Sequence, residues 1–270
     1  MPADSDTSGS ADSIRHADSI QALQRIHNDL TSDALAYADS LSATLTLRQK
    51  AAMMLMPATF SRTDPATINN IVAYARDLGV GGIVLLKGSL TAAAEIIDSV
   101  YSVAPNGMFI AVDAENGLKM RFSDAPEFPW NRELGRLSDD QLMYEFGREI
   151  ARECRIVGIN MILGPVMDIV PGENYHGIMA KRSLGSSPET VADLAIAYSK
   201  GVEDGRVLTV AKHFPGHGSA NADSHKALGK VTSSKSRLDS IDLYPFRKYA
   251  AEGLSGVMVG HLAVTALDTI

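Results

Sequence analysis

The chain lacks most of the features that would announce a function from composition. Its single cysteine, Cys154, rules out an internal disulfide and leaves the redox compartment undecided. Positive charge is in deficit: 25 Lys and Arg against 32 Asp and Glu give a net charge of −7. That balance argues against nucleic acid or an anionic membrane as the main partner. No apolar run approaches the ~20 residues of a membrane span. No basic segment followed by an apolar core opens the chain, so no signal peptide is visible, and a processed chain would look the same. No clear internal repeat stands out. No Gly-x-Gly-x-x-Gly opens a helix, which argues against a dinucleotide site, and no cofactor is implied.

What is present is alternation. Met1 to about Asp18 is rich in Ser, Asp and Ala and is expected to be a disordered leader. The spacing of Ile20, Leu23, Ile26, Leu30, Leu35 and Leu41 then allows one or two amphipathic helices. The expected division is a leader and helix over residues 1–40 and a folded domain over 41–270. Within the latter, short apolar runs at Ala51–Met56, Gly82–Leu86, Met108–Val112, Ile159–Val166, Val207–Ala211 and Gly256–Val259 read as strands. Helical patterns lie between them at Ala66–Leu78, Thr91–Val103, Asp139–Val157, Pro188–Asp204 and Ser240–Glu252. Gly79, Gly158 and Gly253 each follow a helical pattern directly before a strand, as helix C-caps do. Repeated strand–helix units imply a parallel sheet covered by helices. The expected fold is α/β, a (β/α)8 TIM-type barrel that is incomplete, with about six strand–helix units. Met53, Met54 and Met56 read as core gap-fillers. Cys154, in a stripe with Leu142, Phe146 and Ile150, reads as a buried structural thiol.

Polar residues follow the strands. Asp113 and Glu115 end the third run, Asp168 the fourth, Lys212 and His213 the fifth and His261 the sixth. In a parallel barrel such positions share one mouth. The densest cluster is Lys212-His213-Phe214-Pro215-Gly216-His217-Gly218 with Asp223-Ser224-His225, on a glycine-bearing loop that cannot continue the strand. Several readings stay open for these residues. Lys212 and His213 could be a strand-end ion pair, Asp168 a loop brace, and Arg121 a brace for Asp113 or Glu115. Trp130 fits packing at the mouth better than a sugar platform. A metal site built from His213, His217, Asp223 and His225 is disfavoured, because Pro215 and Gly216 break the helix that such spacing normally uses.

Together these segments resemble glycoside hydrolase family 3, in particular its bacterial β-N-acetylglucosaminidases (β-hexosaminidases). Lys212–Gly218 with Asp223-Ser224-His225 is similar to the family signature. Val112-Asp113-Ala114-Glu115-Asn116-Gly117 with Arg121 resembles its Asp-x-Glu-x-Gly segment. Leu163–Asp168, Lys181–Gly185 and Val257–His261 resemble three further family segments in order, so the resemblance runs from about Leu47 to Ile270. It implies a retaining glycosidase in which Asp113, Arg121, Arg182, Lys212 and His213 bind the sugar. His225 would be the general acid/base, oriented by Asp223; a carboxylate beside an imidazole stabilises the imidazolium and fixes its tautomer. The implied partner is an N-acetylglucosamine-containing glycan, with no metal, and the compartment would be bacterial cytoplasm or periplasm. The family's nucleophile is an Asp closing the seventh strand, in a context absent up to Ile270. Asp268 instead matches residues that follow the sixth strand, so this stretch is expected to be inactive alone. Asn116, Lys181 and Leu184 depart from the family pattern and leave the fine preference open. A non-catalytic sugar-binding barrel and a β-glycoside phosphorylase are the alternatives, the latter because a neutral imidazole does not repel phosphate.

Overall fold

A computed structural model describes residues 32–104, 106–172, 175–177, 179–218 and 228–267. The expected leader, Asp223, His225 and Asp268 lie outside the described residues. The chain divides into two units, Met1–Thr46 and Leu47–Ile270. In the first, helix α1 spans Ser32–Thr44, with Leu35 and Leu41 half-buried along it.

The second unit alternates strand and helix. Helix α2 (Leu47–Met53) precedes β1 (Ala58–Ser61), α3 (Pro65–Ala73) precedes β2 (Gly82–Gly88), and α4 (Leu90–Tyr101) precedes β3 (Phe109–Val112). Helices α5 (Asn131–Leu137) and α6 (Asp140–Val157) lead to β4 (Met161–Ile162), and α7 (Pro188–Asp204) to β5 (Leu208–Phe214). Then come β6 (Gly229–Val231), α8 (Tyr244–Ala251), β7 (Gly256–Val259) and β8 (Leu262–Val264). The main sheet has the order β1-β2-β3-β4-β5-β7, parallel throughout. A doubly wound sheet turns back at a switch point; this order never does, which is the winding of a barrel. The fold is therefore TIM-barrel-like and incomplete among the described residues, with β1 and β7 as its two edges. Strands β6 and β8 form a separate parallel pair.

Local sequence explains the punctuation. Asp64, Ser89, Asp139 and Ser187 each accept a backbone N–H of the helix they precede, removing one orphan donor apiece. Gly79, Gly158 and Gly253 have φ of 69°, 97° and 72° and end their helices as expected. Between sheet and helices, Ile83, Leu85, Ile110, Val112 and Ile162 pack on Ile96, Ile150, Val191 and Leu194 in one core. Each such burial contributes about 1.5–3 kcal/mol. Cys154 lies in this core, and burial pushes its thiol up, so it is structural. In its stripe Leu142 is exposed and Met143 takes the buried position.

One strand assignment is overturned. Ala51–Met56 is the end of α2 and the turn after it, and the first strand is Ala58–Ser61. Met53 and Met54 are 39% and 84% exposed instead of filling the core. A six-residue apolar run fits a buried strand and a helix end equally well, so periodicity alone could not separate them. Trp130 is partly exposed, with the Lys181 ammonium 5.5 Å from its ring centroid. At the other edge, Phe214, Phe246, Val257 and Val259 line an apolar cleft of about 500 Å3 beside β7.

Candidate active site

Parallel strands deliver their C-terminal ends to one side of the sheet. At the end of β3, Asp113 and Glu115 both face the Lys212 side chain, which reaches them from β5. The Lys212 Nζ lies 2.6 Å from Asp113 Oδ1 and 2.8 Å from Glu115 Oε1, and the lysine is only 2% exposed. Arg121 donates to the other oxygen of Asp113. Arg182 donates twice to Glu115, from Nε at 2.8 Å and from Nη2 at 2.6 Å. That two-pronged fork fixes both the guanidinium plane and the carboxylate.

His213 joins the network through a bulge. Pairing between β5 and β7 jumps from Lys212↔Met258 to Phe214↔Val259, so His213 is the extra residue. Consecutive strand residues normally point to opposite faces; a bulge re-aims one of them. Here it lets Lys212 and His213 serve the same cluster. The Nδ1 of His213 is 2.7 Å from Asp168 Oδ2, and its Nε2 is 3.3 Å from Arg182 Nη2. Both contacts are satisfied when Nδ1–H donates to Asp168 and the Nε2 lone pair faces the arginine.

Asp168 is fully buried and acts as a brace for three segments. Its Oδ1 accepts the His217 backbone N–H at 2.6 Å, and its own carbonyl accepts Ser183 Oγ at 2.6 Å. The loop beyond β5 turns at Gly216, whose φ of 130° belongs to the left-handed side that glycine favours. A Cβ there would sit 2.8 Å from Asp242 Cβ. Asp242 is buried, and neither carboxylate oxygen has a hydrogen-bond partner among the described residues.

The charges set the electrostatics. Burial raises the Asp113 carboxyl, but Lys212 and Arg121 more than reverse this and hold it at about 2. Burial likewise opposes ionisation of Glu115, and Lys212 with Arg182 brings it to about 2. Burial also holds the His217 imidazole below its usual range, against the pull of Asp168. Asp242 goes the other way: burial lifts it to about 6, with Arg237 lowering it and Asp168 raising it. At the mouth, three carboxylates (Asp113, Glu115, Asp168) face three cations (Arg121, Arg182, Lys212). A balanced cluster with donors and acceptors side by side suits a neutral, hydroxyl-rich ligand better than an ion.

Five expected site residues, Asp113, Arg121, Arg182, Lys212 and His213, thus converge, while Asp223 and His225 lie outside the described residues. His261 is exposed. Sequence reading placed Glu115 at the mouth but outside the sugar-binding set, although its Asp-x-Glu spacing was the available signal: residues two apart at a strand end can face the same way. Among the described residues no three His, Cys, Asp or Glu side chains gather as a metal would require. No helix among them is long and apolar enough to cross a membrane.

Comparison with known proteins gives concordant matches. The model of the glycosyl hydrolase family 3 N-terminal domain matches residues 46–270. A β-hexosaminidase of Nitrosospira multiformis is 30% identical over 71% of the chain and 57% of its own length. The chain therefore spans little more than half of that relative. Among solved structures, a family 3 β-N-acetylglucosaminidase from Paenibacillus sp. strain FPU-7 superposes with a TM-score of 0.76 at 30% identity, covering 83% of this chain and 44% of that one. NagZ of Neisseria gonorrhoeae, complexed with N-trifluoroacetyl-D-glucosamine, gives 0.70 at 28% identity, over 80% and 66% of the two chains.

Proposed function

Given that the chain belongs to glycosyl hydrolase family 3, we propose that it supplies the sugar-binding strand ends and acid/base loop of a retaining exo-β-N-acetylglucosaminidase. The substrate class would be glycans with terminal β-N-acetylglucosamine, such as cell-wall fragments. The names of the matched relatives support that class. The observation that carries the reading is the Asp113–Lys212–Glu115–Arg182 cluster at the strand ends, with Lys212 and Glu115 buried and Asp113 and Arg182 partly open.

In this reading Asp113 accepts bonds from sugar hydroxyls, its two oxygens already aligned by Lys212 and Arg121. Charge-assisted bonds of this kind are about twice as strong as neutral ones. Arg182, Lys212 and His213 contact the same sugar from the other side. His225, oriented by Asp223, donates a proton to the leaving glycosidic oxygen as a carboxylate attacks the anomeric carbon from the opposite face. The imidazole then takes a proton from water, which releases the sugar with its configuration retained. Asp113, Glu115 and Asp168 are all held by cations or hydrogen bonds, so the nucleophile is a different carboxylate. By family resemblance it is an aspartate closing the barrel strand that follows β7, in a context absent up to Ile270.

The test is hydrolysis of 4-nitrophenyl N-acetyl-β-glucosaminide by the full-length protein in phosphate-free buffer, with the first-formed anomer read by NMR. The expected product is the β-anomer of N-acetylglucosamine. Turnover only on adding phosphate would establish phosphorolysis instead. Saturable N-acetylglucosamine binding with no turnover would favour a sugar-binding barrel, a reading that the full engagement of the three described carboxylates also suits.

A further inference from the structure

A second charged cluster lies at the opposite end of the sheet. Helices α6 and α7 finish at Val157 and Asp204 and feed the starts of β4 and β5, so their C-terminal halves sit away from the mouth. Between them is an open cleft of about 600 Å3 lined by Arg148, Arg152, Arg155, Ile156, Asp204 and Arg206.

Arg148, Arg152 and Arg155 are spaced by four and three residues on α6, which puts them on one helical stripe. Arg152 is held by Glu149 through bonds of 2.8 and 2.6 Å. Arg148, Arg155 and Arg206 have no ion-pair partner among the described residues. Asp204, the one acid lining the cleft, has its Oδ2 occupied by the Tyr144 hydroxyl at 2.8 Å. Four guanidinium groups line the cleft against one lining acid, Asp204, with Glu145, Glu149 and Glu153 nearby on α6. Cations thus outnumber acids at the cleft wall itself on a chain of net charge −7. Such a contrast concentrates anions.

The rim is also built at a cost. Arg206 has φ 62°, a conformation that disfavours any residue with a Cβ. Before it, Gly205 presses on α6 so closely that a Cβ would lie 2.3 Å from Ala151 Cβ. The α7 end is thus locked against α6, and Arg206 is presented at the cleft by a strained backbone. The left-handed turn that ends α7 thereby fixes where the Arg206 side chain leaves the backbone.

We propose that this cleft binds an anion carrying two or more phosphate groups. Planar guanidinium forks match phosphate oxygens in pairs, and three arginines without an ion pair, two on α6 and one in the turn just past α7, can grip adjacent phosphates at once. Ile156, 72% exposed, offers an apolar wall for an uncharged remainder of the ligand. The site is independent of the glycosidase reading. Its open, hydrated rim makes binding steeply dependent on salt.

The test uses inorganic pyrophosphate as the probe, titrated calorimetrically into the full-length protein at low ionic strength. Saturable binding that fades with added salt is expected, and excess N-acetylglucosamine should leave it unchanged. The variant Arg148→Gln/Arg155→Gln/Arg206→Gln should bind about tenfold or more weakly, with glycosidase activity intact. Arg155→Gln alone, which disturbs no backbone constraint, should weaken binding measurably even if the triple variant fails to fold. No saturable binding, wild-type binding by both variants, or displacement by N-acetylglucosamine would overturn the proposal; the last would place the anion in the mouth.

Discussion

Glu115 grips Arg182 through two parallel hydrogen bonds of 2.6 and 2.8 Å while also lying 2.8 Å from the Lys212 ammonium. One buried carboxylate thus positions two of the cations assigned to sugar binding. Breaking a buried pair on one side leaves charges that nothing offsets. Glu115→Gln should therefore cost about 3 kcal/mol of stability, read as a lower melting temperature. N-acetylglucosamine binding should weaken by about tenfold or more. A variant that keeps both would mean that Arg182 and Lys212 are held by other groups.

The same pairs set a low-pH limit. Asp113 and Glu115 ionise at about 2 in the folded chain, against reference values of 3.8 and 4.5. As pH falls the unfolded chain takes up these protons first, so the stabilisation is complete above about 4.5 and is lost as pH drops through about 2. Asp113 accounts for about 2 kcal/mol and Glu115 for about 3 kcal/mol. Urea midpoints should fall between pH 5 and pH 3, with a shallower slope in Glu115→Gln. Flat midpoints across that range would contradict the pairing.

Asp242 should behave oppositely. Burial raises its carboxyl to about 6 from 3.8, so the folded chain takes up this proton first. The resulting stabilisation is full below about 3.8 and is lost as pH rises through about 6, leaving a buried charge beside Gly216. Asp242→Asn removes that charge and should gain about 2 kcal/mol at pH 8, with the gain vanishing near pH 4. Melting curves at the two pH values decide it; a loss of stability at pH 8 would show that the carboxylate is needed as an anion.

His225→Ala in the full-length protein should slow turnover according to the leaving group. Aryl glycosides with strongly acidic phenols need little protonation and should lose least. A Brønsted plot of kcat/KM over a phenol series tests this, and a uniform loss across the series would remove His225 from the acid role.

Much of the site was legible because parallel α/β folds put polar residues at strand ends, where an apolar run stops abruptly. Asp113, Lys212 and His213 stood out on that ground alone. The helix ends were legible from Gly79, Gly158 and Gly253, which mark boundaries through their backbone angles. Less local features were hidden. The bulge that turns His213 toward Lys212 depends on pairing with β7, which no single strand encodes. Asp168 looks like any loop aspartate until His213, His217 and Ser183 close around it. The first strand was missed because Ala58–Ser61 is four residues long, and the methionine-rich run before it carried the stronger apolar signal.

The most direct test of the central claim is calorimetric titration of N-acetylglucosamine into wild type and Asp113→Asn. The account predicts saturable binding by wild type and a loss of about tenfold to a hundredfold in the variant, because an amide cannot make the same charge-assisted bonds to sugar hydroxyls. Equal affinity in a folded Asp113→Asn protein would contradict it and move the sugar site away from these strand ends.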